Sequence, residues 1–111
     1  MSAGKRNRLL EILRRGQRRD QANDLIDEWE PIGKAWASIR FVSGIAAVKA
    51  GAEQEVTKAS IRVTYRRNIE MGMRLRHGGD VFEVDAVLPD EDRRRHVDLV
   101  CRKLTEREVV A

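Results

Sequence analysis

Alternation of apolar and polar residues dominates the second half of the chain, from about residue 57 to residue 104. It is clearest in residues 56–66, where one face carries Thr57, Ala59, Ile61, Val63 and Tyr65. The other face of the same segment carries Lys58, Ser60, Arg62, Thr64 and Arg66. A period of two predicts a β-strand with one buried and one solvated face, as antiparallel sheets commonly have.

Further short strands are predicted on both sides of this one. Residues 34–42 alternate, with Ala35, Ala37, Ile39 and Phe41 on one face. A brief strand around Met73 and Leu75 leads into Gly78-Gly79-Asp80, where glycine supplies the positive φ of a tight hairpin. Two last strands follow, with inner faces formed by Phe82, Val84, Ala86 and Leu88 and then by Val97, Leu99 and Cys101.

The remaining segments carry weaker signals. Residues 9–13 fit either a short helical turn or a first strand, and the polar residues 16–23 predict a loop. Pro31 and Gly33 predict a break in the chain. Residues 43–55 are rich in alanine and fit either a short helix over residues 45–50, ended by Gly51, or a mobile loop.

These elements together predict a mainly β protein, a small antiparallel β-barrel or sandwich. One short helix or long loop lies between strands, and the termini are expected to be flexible. We expect residues 1–111 to form a single domain. Within it, residues 1–8 are a flexible basic arm, residues 9–104 a β scaffold containing the loop 43–55, and residues 105–111 a loose tail.

Composition indicates a thin core. The chain has 111 residues and is 41% hydrophobic, but eleven of those hydrophobic residues are alanine. The large candidate anchors are Trp29, Trp36, Phe41, Tyr65 and Phe82. A domain of this size has little margin of stability, so we expect it to bury further surface by assembling into oligomers.

The excess positive charge lies at one end of the chain. Residues 1–20 carry seven basic and two acidic side chains, a balance of +5, whereas the whole chain carries +4. Such an arm can neutralise nucleic-acid phosphates. It can equally be a solvated segment that becomes ordered against an acidic partner surface, and the sequence does not distinguish these.

The side chains that could act in catalysis or bind a metal are not expected to lie together in the predicted fold. Glu83 and Asp85 are expected to face solvent, and His77 and His96 are expected at strand ends on the surface. Cys101 falls on an apolar strand face, where a free cysteine behaves as a small hydrophobe. No glycine-rich phosphate loop, zinc ligand set, signal peptide or membrane span is visible. We therefore predict a non-enzymatic protein without a cofactor.

One strand face presents a possible basic stripe, formed by Lys58, Arg62 and Arg66. Proteins that bind single-stranded nucleic acid usually combine such charge with aromatic stacking side chains. Here the strand aromatics fall on the opposite face. The alternative is a solvated outer face on which these residues form salt bridges with neighbouring acids.

The order and spacing of several short motifs resemble the phage head–tail joining family, also called head-closure, head completion or stopper proteins. The resemblance covers about two-thirds of the chain. Its elements are Trp36-Ala37-Ser38-Ile39-Arg40, Ser43-Gly44, Ile61-Arg62-Val63-Thr64-Tyr65-Arg66, Ile69, Gly72-Met73-Arg74-Leu75, His77-Gly78-Gly79-Asp80, Val81-Phe82-Glu83-Val84, Asp92-Arg93-Arg94 and Leu99-Val100-Cys101-Arg102. The first 30 residues depart from the family's usual first hairpin.

The resemblance implies a structural virion or prophage protein. Such a protein assembles in the bacterial host cytoplasm and forms a homo-oligomeric ring at the head–tail interface, the neck. The ring lies below the portal or adaptor protein, closes the DNA-filled capsid and offers a docking surface to the tail terminator or tail tube protein. Double-stranded DNA passes through its channel without sequence recognition, and no membrane is involved.

We expect two sets of contact residues, the first implied by the resemblance and the second suggested by the charge distribution. The candidate channel or ring-contact loop contains Ser43, Gly44, Ile45, Val48, Lys49 and Gly51. The candidate basic arm contacts are Lys5, Arg6, Arg8, Arg14, Arg15, Arg18 and Arg19. An alternative function is that of a small cytosolic β-barrel that binds nucleic acid through its basic arm and strand face.

Overall fold

The computed structural model describes residues 7–49 and 52–110 and contains six strands and one helix. The elements are β1 (Arg8–Arg19), β2 (Leu25–Lys49), β3 (Ala52–Thr64), β4 (Arg74–His77), β5 (Asp80–Pro89), β6 (His96–Lys103) and α1 (Glu106–Val110). The strands close into an antiparallel barrel in the order β1-β2-β3-β6-β5-β4. The predicted mainly β fold is confirmed. Of the two predicted architectures, barrel and sandwich, the structure is a barrel.

The core of the barrel is filled by aliphatic side chains and one aromatic ring. Phe82 is fully buried, and around it lie Leu10, Ile12, Ile61, Leu75, Leu99, Val63, Val84, Val97 and Cys101. Burying a side chain such as Phe82 contributes about 1.5–3 kcal/mol. Of the five predicted anchors only Phe82 is fully buried, because a small barrel has an interior just wide enough for a few side chains. Trp36 and Phe41 are 57% and 54% exposed.

The length of β2 gives the molecule its shape. This strand pairs with β1 up to Ala37 and with β3 from Ala37 to Lys49, so its two ends belong to two hairpins that point in opposite directions along it. The radius of gyration is 15.7 Å, whereas a compact domain of this length has about 13 Å. The excess reflects the parts of these hairpins that extend past the neighbouring strands.

We call the parts of these hairpins that extend past the paired strands of the barrel wall ribbons. The β1–β2 ribbon, residues 14–30, lies beyond the pairing of β1 with β4, which covers Glu11 to Leu13. The β2–β3 ribbon, residues 43–49 and 52–57, lies beyond the pairing of β3 with β6, which begins at Lys58. Each ribbon is therefore two-stranded, with an open backbone edge on both sides among the described strands.

The prediction of a short helix or mobile loop at residues 43–55 is wrong. Residues 43–49 continue β2 and residues 52–57 belong to β3, with Gly44 opposite Val56 and Lys49 opposite Ala52. Cross-strand hydrogen bonds outweigh the weak helix preference of the alanines. Residues 50 and 51, including Gly51, lie outside the described part of the chain.

The predicted loop at residues 16–23 is also wrong, because β1 runs to Arg19 and the turn occupies residues 20–24. Residues 9–13 are strand, which decides between the two alternatives for that segment. The expected break at Pro31 is instead a bulge: Ile12 lies opposite Gly33 and Leu13 opposite Pro31. A bulge accommodates a residue without an N–H while the strand continues.

Two predictions at the other end of the chain need correction. Residues 106–110 form helix α1 and are not a loose tail. Leu88 was expected on the inner face of β5 but is 54% exposed, because a bulge between Val84 and Ala86 reverses the alternation and leaves Val87 packed against the core. The hairpin prediction is confirmed: His77 pairs with Asp80, and Gly78 adopts a φ of 59°.

Candidate assembly surfaces

The tip of the β1–β2 ribbon is a well hydrogen-bonded turn. The carboxylate of Asp20 accepts hydrogen bonds from the backbone N–H groups of Ala22 and Asp24, each 2.9 Å long. Asn23 takes the left-handed conformation with a φ of 67°, and its carbonyl accepts a 3.0 Å hydrogen bond from Arg19. Asx turns of this kind define a turn locally, so the tip has a definite backbone conformation.

The base of the same ribbon is fixed to the barrel by a buried arginine. Arg74, on β4, is only 8% exposed, and its guanidinium carbon lies 4.2 Å from the ring centroid of Trp29 in β2. The guanidinium carbon of Arg15, on β1, lies 5.7 Å from the centroid of the same ring. Cation–π contacts strengthen when they are removed from water. Trp29 therefore links the orientation of the ribbon to β4.

Arg74 also holds helix α1. Its terminal nitrogens donate to the backbone carbonyls of Val109 at 3.2 Å and Glu108 at 3.3 Å. Burial lowers the pKa of Arg74 below its usual value, but a guanidinium stays protonated. Its Nε has no hydrogen-bond partner among the described residues. The ribbon, β4 and α1 thus meet at one buried cation.

Helix α1 is short, and side chains at both of its ends explain why it forms. The Thr105 hydroxyl accepts a 3.2 Å hydrogen bond from the Glu108 N–H, and the Glu108 carboxylate accepts a 2.9 Å bond from the Thr105 N–H. This is a capping box. Arg102 donates to Glu108 and to Glu83, each at 2.7 Å. An isolated helix of five residues is unstable in water, so these contacts stabilise it.

The basic stripe on β3 is largely occupied by contacts within the protein. Arg62 donates two hydrogen bonds to the Asp98 carboxylate, at 2.7 and 3.0 Å. The hydrogen bond to Asp98 raises the pKa of Arg62. Arg66 donates to the Asn68 side chain and the Lys34 carbonyl. Lys58 is exposed. Arg62 thus has the acidic partner that the salt-bridge alternative predicts, whereas Arg66 binds an amide and a backbone carbonyl.

Apolar side chains are also exposed on the outer face. Leu9 of β1 lies opposite Trp36 of β2 in the sheet, and both point away from the core. Phe41 contacts the ring of Phe82 at a centroid distance of 6.0 Å, although it is half exposed. Exposed tryptophan is enriched at protein interfaces. Leu9 and Trp36 are therefore candidate contacts for another protein.

Groups that could carry chemistry do not converge in the described ranges. Among residues 7–49 and 52–110, no cluster of three or more His, Cys, Asp or Glu side chains could hold a metal ion. Burial raises the pKa of the Cys101 thiol to about 12, so it is a protonated core residue at neutral pH. Within the same ranges no helix is long and apolar enough to span a bilayer.

Comparison with known proteins decides the family. The family model described as "Phage head completion protein" matches residues 1–104. This chain belongs to that family. Its members are structural virion proteins, so the predictions of a structural virion component and of no enzymatic activity are confirmed. The resemblance inferred from the sequence motifs is confirmed with them.

Two solved structures share the fold of this head completion protein. A chain from the virion of a native gene transfer agent particle has a TM-score of 0.69 and 18% identity, covering 94% of this chain and 98% of that one. A protein from Shigella flexneri 2a, known from a solution structure, has a TM-score of 0.70 and 25% identity, covering 96% and 99%. No curated protein matches the chain in sequence.

The structure separates the candidate residues of this head completion protein into distinct places. Ser43, Gly44, Ile45, Val48 and Lys49 lie along one strand of the β2–β3 ribbon. Arg14, Arg15, Arg18 and Arg19 lie along one strand of the β1–β2 ribbon. Arg8 is exposed at the start of β1, and Lys5 and Arg6 lie outside the described residues. The basic residues are thus not one flexible arm.

Sequence reasoning missed the cluster formed by Arg74, Trp29 and α1. A basic residue on a short strand predicts an exposed side chain, and nothing local indicates that a distant tryptophan and a helix cover it. The sequence does contain a local signal for helix α1. Thr105 is followed three residues later by Glu108, which is the spacing of a capping box.

Proposed function

We propose that this head completion protein forms a homo-oligomeric ring at the head–tail neck of the virion. The ring lies below the portal or adaptor protein, closes the DNA-filled capsid and presents a docking surface to the tail terminator or tail tube protein. It is assembled in the bacterial host cytoplasm. The observation that carries the proposal is a closed barrel from which two ribbons with open edges extend in opposite directions.

The ribbons support an assembly role on physical grounds. An isolated two-stranded hairpin is at best marginally stable in water, and exposed strand edges favour pairing with other chains. A chain that keeps two such ribbons gains most from them when a partner covers them. The fold shared with a gene transfer agent virion chain is consistent with a place in a particle.

The β2–β3 ribbon is assigned to the channel lumen or to the next ring. It contains the candidate residues Ser43, Gly44, Ile45, Val48 and Lys49 and leads to Gly51 at residues 50–51. An antiparallel ribbon reaches about 3.3 Å further per residue of strand. It therefore carries contacts well beyond the barrel wall, where a loop of the same composition would not hold a fixed direction.

The basic residues at the start of the chain are assigned to contacts with a neighbouring ring. Arg8 begins β1, so it acts from a different part of the barrel than Arg14 to Arg19, and Lys5 and Arg6 come before it in the sequence. Double-stranded DNA passes through the channel without being gripped. Ion pairs such as Arg62 with Asp98 and Arg102 with Glu83 favour this, because they neutralise basic side chains that would otherwise bind phosphates.

The test is a shortened β2–β3 ribbon. Replacing residues 45–55 with Asn-Gly joins Gly44 to Val56, which already lie opposite each other, and thus keeps the register. We expect the protein to remain folded by circular dichroism, whereas particles made with it lose DNA or lack tails in electron micrographs. A charge-neutral change at a half-buried position on the barrel, Ser60→Ala, serves as the control. Normal DNA-filled, tailed particles from the shortened variant would contradict the ribbon assignment.

The alternative of a nucleic-acid-binding barrel is tested by the same purified protein. It predicts strong binding of the isolated chain to duplex DNA that weakens steeply with salt. The ring proposal predicts weak binding by the isolated chain and ring formation on the cognate portal vertex.

A further inference from the structure

The β1–β2 ribbon is divided by charge between its two strands. From Arg14 to Arg19, β1 carries four basic residues and no acidic one, Arg14, Arg15, Arg18 and Arg19. The facing stretch of β2, from Leu25 to Glu30, carries three acidic residues and no basic one, Asp27, Glu28 and Glu30. One edge of the ribbon is thus basic and the other acidic.

Both of these edges are open. β1 pairs with β4 only from Glu11 to Leu13, and β2 pairs with β3 only from Ala37 onward. The backbone N–H and C=O groups on the outer sides of residues 14–19 and 25–30 therefore have no strand beside them within the described chain. Open edges of this kind are templates for pairing with another chain.

The ribbon is also held in a definite direction. Trp29 stacks on Arg74, and Arg74 in turn binds the last carbonyls of α1. Between the strands, Glu30 lies over Gly16 and accepts a 3.1 Å hydrogen bond from Arg14. An element whose base is fixed in this way loses less conformational freedom when it binds.

We propose that the β1–β2 ribbon is the contact between neighbouring copies of this chain in the ring, with the basic edge of one copy beside the acidic edge of the next. This inference rests on the proposed ring. Because β1 and β2 are antiparallel, copies related by rotation about one axis place β2 of one copy antiparallel to β1 of the next. Such a contact is head-to-tail, and a head-to-tail contact that closes gives a ring.

A second copy fits this surface better than DNA does. A phosphate backbone favours a uniformly basic surface, whereas this ribbon presents both signs on its two strands. A copy of the same chain supplies an acidic edge for the basic one and a basic edge for the acidic one. Leu25, 60% exposed at the tip of the acidic strand, would gain burial in the same contact.

The test uses charge reversal on one strand or on both. The first variant replaces all four arginines of the basic stretch with glutamate (Arg14→Glu, Arg15→Glu, Arg18→Glu, Arg19→Glu), so both strands of the ribbon are acidic. The second replaces the three acids of the facing stretch with lysine (Asp27→Lys, Glu28→Lys, Glu30→Lys), so both strands are basic. A third variant carries all seven changes. Ring formation on the cognate portal vertex is measured by electron microscopy and by cross-linking, with the wild-type chain alongside.

We expect each variant altered on one strand alone to lose ring occupancy by about tenfold or more, since like charges across an interface are strongly unfavourable. An equal mixture of the two should recover rings of alternating copies, because every contact then joins opposite charges. The seven-residue variant should form rings with itself but not mix with wild-type chains. These losses should diminish at high salt.

Three outcomes would overturn the inference or its basis. If the seven-residue variant recovers but the mixture does not, the charges stabilise only the ribbon itself. If wild-type rings form and all variants form them equally, the contact lies elsewhere. If the wild-type chain forms no ring on the portal vertex, the proposed function fails instead.

Discussion

The barrel and the two ribbons use the same secondary structure in opposite ways. In the barrel every strand has a neighbour on both sides, and the enclosed side chains are almost completely buried. In the ribbons each strand has a neighbour on one side only. β2 takes part in all three, so a single strand passes from a ribbon with open edges through the closed wall and into the second ribbon.

The difference separates stability from function within a small protein. Closing the sheet removes exposed edges, and the core around Phe82 supplies the apolar burial that a domain of this size requires. The β1–β2 ribbon contributes none of the buried hydrophobic residues of that core. Changes in the barrel should therefore affect folding, whereas changes in the ribbons should affect assembly.

The largest expected effect comes from the barrel core. Phe82→Ala should lower the free energy of unfolding by about 3–5 kcal/mol, because it leaves a cavity among fully buried side chains. The urea midpoint measures this. The matched control is Trp36→Ala, which removes a larger but exposed ring and should change stability by roughly 0.5 kcal/mol or less. Equal shifts for the two variants would contradict the distinction between core and surface.

The next effect sharpens the boundary between barrel and ribbon. Arg74→Ala removes the stack on Trp29 and both hydrogen bonds to α1, and should cost about 1–3 kcal/mol. Tryptophan emission should shift to longer wavelength as Trp29 becomes more exposed. Arg76→Ala is the control, because Arg76 is an exposed residue on the same strand, paired with Glu11. An unchanged emission spectrum in Arg74→Ala would show that the ribbon is held by other contacts.

We expect ionisation of a buried thiol in the barrel core to lower the stability of the protein at alkaline pH. The thiol of Cys101 has a pKa raised from 9.0 to about 12 by burial. The unfolded chain therefore loses this proton first, and the stabilisation present below pH 9 is lost as the pH rises toward 12. Between pH 9 and pH 10 this group should cost about 1 kcal/mol. Urea midpoints of wild type and Cys101→Ala should converge over that interval, and parallel curves would count against it.

The smallest effect is expected in the β1–β2 ribbon. A β-carbon at Gly16 would lie 2.8 Å from a carboxylate oxygen of Glu30, so Gly16→Ala should displace that flexible side chain from Arg14. The exposed ion pair contributes about 0.2–1 kcal/mol, and replacing glycine returns about 0.4–1 kcal/mol. The urea midpoint should scarcely move. A loss above about 2 kcal/mol would mean that the ribbon takes part in global folding.

The sequence predicts the closed part of the molecule better than the ribbons. Alternation at Ile61 and Val63 identifies β3, because one face of the strand is buried and the other is wet. Residues 43–49 lack a clear period of two and are rich in alanine, so their sequence resembles a helix, and the pairing with β3 makes them a strand. The bulge that turns Leu88 outward likewise depends on the partner strand β6.

The candidate contact residues show the same limit. Their charge is visible in the sequence, but the separation of Arg14 to Arg19 from Arg8 depends on where β4 stops pairing with β1. The acidic partner strand is recognised only once the register sets Arg14 opposite Glu30. Long-range pairing, which no local pattern contains, decides which residues share a surface.

The most direct test of the division between barrel and ribbons is electron microscopy of the wild-type protein bound to its cognate portal vertex. We expect a ring in which adjacent copies meet through the β1–β2 ribbon while the β2–β3 ribbon faces the channel or the next ring. Barrels packed directly against each other, with both ribbons left in solvent, would contradict that division.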